Sequence, residues 1–75
     1  MKAIIEFDLP EDKSEHHAAV HAMDFALTCW DIDVQLRSWL KYGHKFASAD
    51  KALEETRDEL ARLMQSRGIS FDLIV

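Results

Sequence analysis

The sequence predicts a small, mostly helical α+β domain: an antiparallel two-helix hairpin with a strand at each end, in the order β-α-α-β, assembled as a dimer. Three observations predict it. Apolar residues recur at steps of four and three from Ser14 to Tyr42; a second helical stretch between Ser48 and Gly68 carries its own start and stop signals; and both ends, Lys2–Asp8 and Ser70–Val75, are runs of β-branched and aromatic residues. With 75 residues the chain has room for one small core, so residues 1–75 form a single domain.

The first strand, Lys2-Ala3-Ile4-Ile5-Glu6-Phe7-Asp8, is closed by the turn-forming Leu9-Pro10. The first helix starts at Ser14, whose hydroxyl suits an N-cap, with Glu11, Asp12 and Glu15 near the positive end of its dipole. Ala18, Ala22, Phe25, Cys29, Ile32, Leu36 and Trp39 make its apolar stripe, and His17, His21, Asp24, Thr28, Asp31, Gln35 and Ser38 a polar seam beside it. An alternative breaks the helix at Thr28, because Thr28-x-x-Asp31 resembles a capping box and Trp30–Val34 alternates like a strand. The stripe keeps its phase through that stretch, which favours one helix to Tyr42, stopped by Lys41 and Gly43.

Ser48 caps the second helix. Its inward row is Ala49, Leu53, Thr56, Leu60 and Leu63, with Ala52 and Met64 alongside, and Glu54, Glu55, Arg57, Asp58, Glu59 and Arg62 lie in water. It ends at Arg67-Gly68, with Ile69 placed for the hydrophobic contact of a Schellman cap. The short connection makes the helices antiparallel, so the two end strands can pair as a ribbon.

The first helix is too apolar for one partner. Its apolar arc covers roughly 260°, where about 100° suffices for packing on a single neighbour. A two-stranded ribbon is itself marginal and open-edged, so a second copy of the chain, covering Trp30 and Val34 or completing the sheet, is the expected solution. Within the arc sit Asp33 and Arg37, four residues apart, either a structural ion pair that fixes the register of an apolar contact or a binding pair beside Trp30 and Tyr42.

Composition narrows the chemistry. Nine Lys and Arg against fourteen Asp and Glu give a net charge of −5, which disfavours binding nucleic acid by wholesale phosphate neutralisation. Eight of those acids lie in residues 1–33, against only Lys2 and Lys13. One cysteine excludes a disulfide framework, and with no apolar run of membrane length the expected location is the cytoplasm. His17 and His21 have metal-ligand spacing, yet no third ligand has matching spacing and Ala18 stands where a zinc-protease helix carries glutamate, so surface histidines are expected and no metal site. Arg37, Lys41, His44 and Lys45 mix with Trp39, Tyr42 and Phe46 in a segment without acids, a composition that can hold phosphates and stack bases. Helix-end cations, with Trp39 and Phe46 packed under the loop, explain the same residues. There is no phosphate loop or nucleophile elbow, and Cys29 falls on the core stripe, so neither catalysis nor a cofactor is expected.

The opening Met1–Asp12, then Trp30-Asp31-Ile32-Asp33, Leu36-Arg37, Leu40-Lys41-Tyr42, Arg57–Leu60 and the ending Gly68-Ile69-Ser70-Phe71-Asp72, resemble a family of short tailed-phage proteins over nearly the whole chain. The family pattern is F-x-L-P-E, a W…D…L-R…K-Y helix and G-[IV]-S-[FL]-D. This chain departs from it by running on into Leu73-Ile74-Val75 and by Gly43-His44 in the loop. The resemblance implies a phage setting, hence a host-cell cytoplasm, and makes Trp30, Asp33, Arg37, Lys41 and Tyr42 the family-defining positions. Three functions compete: a non-enzymatic binding protein that modulates a host factor or host defence, an accessory nucleic-acid binder of phage replication or recombination acting through Arg37–Lys45, and a small-ligand binder at the dimer interface around Trp30, Asp33 and Arg37.

Overall fold

The computed structural model describes residues 1–73. It consists of α1 (Lys13–Val20), α2 (Ala22–Tyr42), α3 (Ala49–Ser66) and a single 3₁₀ turn at Phe71–Leu73. The helical hairpin is as expected. The strands are not: among the described residues there is no strand or sheet, so the β-α-α-β architecture is corrected to an all-helical one. Lys2–Asp8 has strand-like composition but no mate, because its expected partner turns into the 3₁₀ helix at Phe71–Leu73, beside α1. A strand without a ladder leaves its backbone groups to water. Ile74 and Val75, the end of the expected last strand, lie outside the described residues.

A turn at Leu9–Asp12 leads into α1, with the Asp12 amide donating to the Asp8 carbonyl at 2.8 Å. The helix starts at Lys13, one residue before the expected position, and its N-cap is Asp12, not Ser14. The Asp12 carboxylate accepts from the Asp8 amide (3.0 Å) instead of capping a helix amide. Phe7 folds back edge-on to the His16 ring, centroids 5.6 Å apart.

The expected single helix is divided once, at His21 (φ −100°, ψ 13°), and not at Thr28. The His21 ring lies 3.3 Å from the Asp24 carboxylate, one turn into α2. Thr28 sits mid-helix with its hydroxyl donating to the Asp24 carbonyl at 2.8 Å. At the far end Gly43 has φ 97° and ψ 166°, a positive-φ, extended region open to glycine but not the left-handed one expected of it. The corner is closed by Trp39 and Phe46, packed edge to face at 5.0 Å, as the sequence predicts.

Both ends of α3 match the sequence. The Ser48 hydroxyl accepts from the Lys51 amide at 3.2 Å, which satisfies one of the orphan donors of the first turn. At the other end Ile69 N–H donates to the Met64 carbonyl (3.0 Å) and Gly68 N–H to the Gln65 carbonyl (3.1 Å), with Gly68 at φ 68°. These are the two bonds of a Schellman motif. Its hydrophobic staple, Met64 (6% exposed) and Ile69 (4%), provides the two buried apolar side chains of the described residues.

Candidate protein-binding face

The face that α2 turns toward α3 is the polar seam. Thr28 is 2% exposed, and Asp24, Asp31, Gln35 and Ser38 are all partly covered. Arg67, just past the end of α3, reaches across the crossing. Its guanidinium lies 2.8 Å from the Asp31 carboxylate and donates to the Thr28 hydroxyl at 3.4 Å. The polar seam, and not the apolar stripe alone, therefore forms the inner contact, and part of the expected core stripe lies outside: Ala22, Cys29 and Leu36 are exposed. On α3 the inward row is as expected from Thr56 onward, with Thr56, Leu60 and Leu63 partly covered, Ala52 likewise and Met64 buried, while Ala49 and Leu53 at its start are exposed. Polar groups can line this contact because the most covered of them has partners and the others keep part of their surface in water: the Thr28 hydroxyl bonds within its own helix, and Asp31 meets a cation.

Replacing Arg67 with alanine is expected to strand Asp31 at the crossing and lower stability by about 1–3 kcal/mol. Arg62→Ala removes a two-bond pair with Glu59 one turn away on the same helix (Nε to carboxylate, 3.1 Å), which by hydrogen bonding first and charge second holds the exposed Arg62 guanidinium above its usual range. Denaturant midpoints at one protein concentration check the contrast: the Arg67 variant falls and the Arg62 variant stays near wild type.

With its polar seam turned inward beside the partly covered Phe25, Ile32 and Trp39, α2 presents most of its other apolar residues outward. Met23, Leu27, Trp30, Val34 and Leu40 are all exposed, Trp30 at 66%. Helical geometry places Met23, Ala26, Trp30, Asp33, Arg37 and Leu40 on one seam opposite α3, at alternating steps of three and four. Of the five positions singled out by the sequence, Trp30, Asp33 and Arg37 lie along this seam and Lys41 at its edge, all exposed. Tyr42 falls off this seam: four residues after Ser38 it continues the polar row of α2, and it is exposed, its ring 5.3 Å from the Lys41 ammonium. Asp33 and Arg37 do not form the ion pair their spacing suggests. The ion pairs among the described residues are His21–Asp24, Lys51–Glu54, Glu59–Arg62 and Asp31–Arg67.

The other candidate features are less developed. Phe46 packs edge to face with Trp39 (5.0 Å) and stacks on His44 (4.8 Å), so these aromatic rings of the corner engage one another and offer little platform for a nucleic-acid base. A shallow cleft of about 470 Å³ lies between α3 and the C-terminal turn, lined by apolar Leu60, Met64, Ile69 and Phe71 with Arg57 at its rim. Among the described residues no three metal-ligating side chains converge, and no helix is long and apolar enough to cross a membrane.

The broad apolar arc of α2 is legible in the sequence, whereas periodicity alone misses Arg67 as the tie across the hairpin. A signal for it does exist in the chain: counting outward from the Gly43–Ser48 connection along two antiparallel helices brings Arg67 opposite Asp24–Thr28. No family model, curated protein or solved structure matches this chain.

Proposed function

We propose that this is a small non-enzymatic binding protein that acts through protein–protein contacts, with the outward face of α2 as its contact surface. The observation that carries the reading is Trp30, two-thirds exposed at the middle of a helix-long apolar face that also carries Asp33 and Arg37. Trp and Arg are the side chains that most often dominate binding energy, and a contiguous exposed apolar face marks an interaction site. The resemblance to short tailed-phage proteins supplies the setting: a phage protein that modulates a host factor or host defence in the host cytoplasm. Lys41, exposed at the edge of this face near the end of α2, extends the surface toward such a partner.

Affinity capture from bacterial host lysate tests this. Wild-type protein is expected to retain one host protein in near-stoichiometric amount, and Trp30→Glu to lose it, while Glu55→Ala on α3 keeps it. Capture that is indifferent to Trp30→Glu, or none at all, contradicts the reading. Salt-sensitive retardation of single-stranded DNA, abolished by Lys41→Ala with Lys45→Ala, would favour the nucleic-acid alternative instead.

A further inference from the structure

We propose that the outward face of α2 is covered by a second copy of this chain, packed antiparallel so that Asp33 lies opposite the partner's Arg37 and Arg37 opposite the partner's Asp33. The proposal rests on the reading of α2 as the contact surface and names its first occupant.

Three observations carry it. The chain has far more surface than a compact monomer of its size. Its accessible area is 6443 Å² against about 4,700 Å² expected for 8.7 kDa, and its radius of gyration is 16.3 Å against about 11 Å. Part of that excess lies in residues 1–8, but a standard dimer needs only about 800 Å² from each partner, and in this register the two α2 helices overlap from Thr28 to Tyr42, with Met23 and Ala26 set against the partner's corner between α2 and α3.

The second observation is the pattern. Met23, Ala26, Trp30, Asp33, Arg37 and Leu40 recur at three and four, the spacing that keeps a seam facing a neighbouring helix. With the polar seam of α2 already occupied by α3, this seam lies on the opposite side, flanked by the exposed Leu27 and Val34.

The third is charge. Asp33 and Arg37 are exposed and in no ion pair among the described residues. Two copies related by a two-fold axis between these residues place each acid against the other copy's base. The same register sets Trp30 against the partner's Leu40 at both ends of the contact. A parallel arrangement in register would set acid on acid and base on base. Since each copy carries a net charge of −5, the contact has to be locally complementary to form at all. Tyr42 is exposed and lies off this seam, so both copies keep it available for another partner.

Charge reversal tests the register. Asp33→Arg and Arg37→Asp, each alone, place two like-charged pairs in the contact and are expected to raise the dimer dissociation constant at least about thirty-fold. Mixed in equal amounts, the two variants regain both cross-pairs, and sedimentation equilibrium should show a heterodimer within a few-fold of wild-type affinity. Both substitutions are on exposed positions, and far-ultraviolet circular dichroism of the mixture checks the helices. Single variants that associate like wild type, or a mixture that stays monomeric, overturn the pairing. A monomeric wild type that still captures a host protein through Trp30 overturns the second copy but not the contact surface; a dimer indifferent to Trp30→Glu likewise overturns the second copy's place on this face, and only capture indifferent to Trp30→Glu overturns the surface itself.

Discussion

Ile69→Ala is expected to abolish most of the cooperative thermal transition and much of the helical circular dichroism of the chain. Ile69 and Met64 are the buried apolar pair of the described residues, and they are held together by the two backbone bonds of the Schellman stop. Truncating a buried isoleucine costs about 2–5 kcal/mol, and a single core in a chain below 80 residues rarely supplies more than about 3–5 kcal/mol. The loss is therefore comparable to the whole. Ile69→Val, which removes one methylene and keeps the staple, should cost only about 1 kcal/mol and leave a cooperative transition at lower temperature. Thermal melts of the three proteins at equal concentration distinguish these outcomes. An Ile69→Ala protein that melts like wild type would mean that the staple is not the core.

The second large effect is at Trp30. Exposed in one chain but central in the proposed contact, it is expected to behave as a hot spot, with Trp30→Glu weakening self-association by at least about 3 kcal/mol, or over 100-fold. The substitution removes a large apolar side chain and forces a carboxylate into an apolar contact beside Asp33. Within one chain Trp30 faces water, and Glu is a better helix former than Trp, so α2 itself should lose nothing by the change. Sedimentation velocity over a dilution series measures the shift. Equal dissociation constants for wild type and variant would place the contact elsewhere.

How much of this is legible in the sequence follows from what each signal depends on. The ends of α3 are local: Ser48 three residues before the amide it caps, and Gly68-Ile69 after the last turn, act within a few residues of chain and read directly. The Trp39–Phe46 corner is nearly as local. Strands are not. Lys2–Asp8 has the composition of one, but a ladder depends on a mate many residues away, and Ser70–Phe71 leads into a 3₁₀ turn instead. The inward face of α2 is also non-local. Its apolar arc is so broad that its centre carries no direction. What decides the orientation is that Thr28 satisfies its hydroxyl within the helix and that Arg67 meets Asp31 across the crossing. The same rotation moves Cys29 and Leu36 from an expected core to the surface. The excess of apolar surface on α2 is unaffected by it, since Leu27, Trp30 and Val34 all remain exposed within one chain.

The central claim is that α2 has an apolar face its own chain leaves uncovered and a second copy covers. Light scattering coupled to size-exclusion chromatography at micromolar concentration measures it most directly. A mass of twice the 8.7 kDa chain, falling to one chain in Trp30→Glu, is the result expected. A wild-type protein that elutes at the mass of one chain across the concentration range would contradict it.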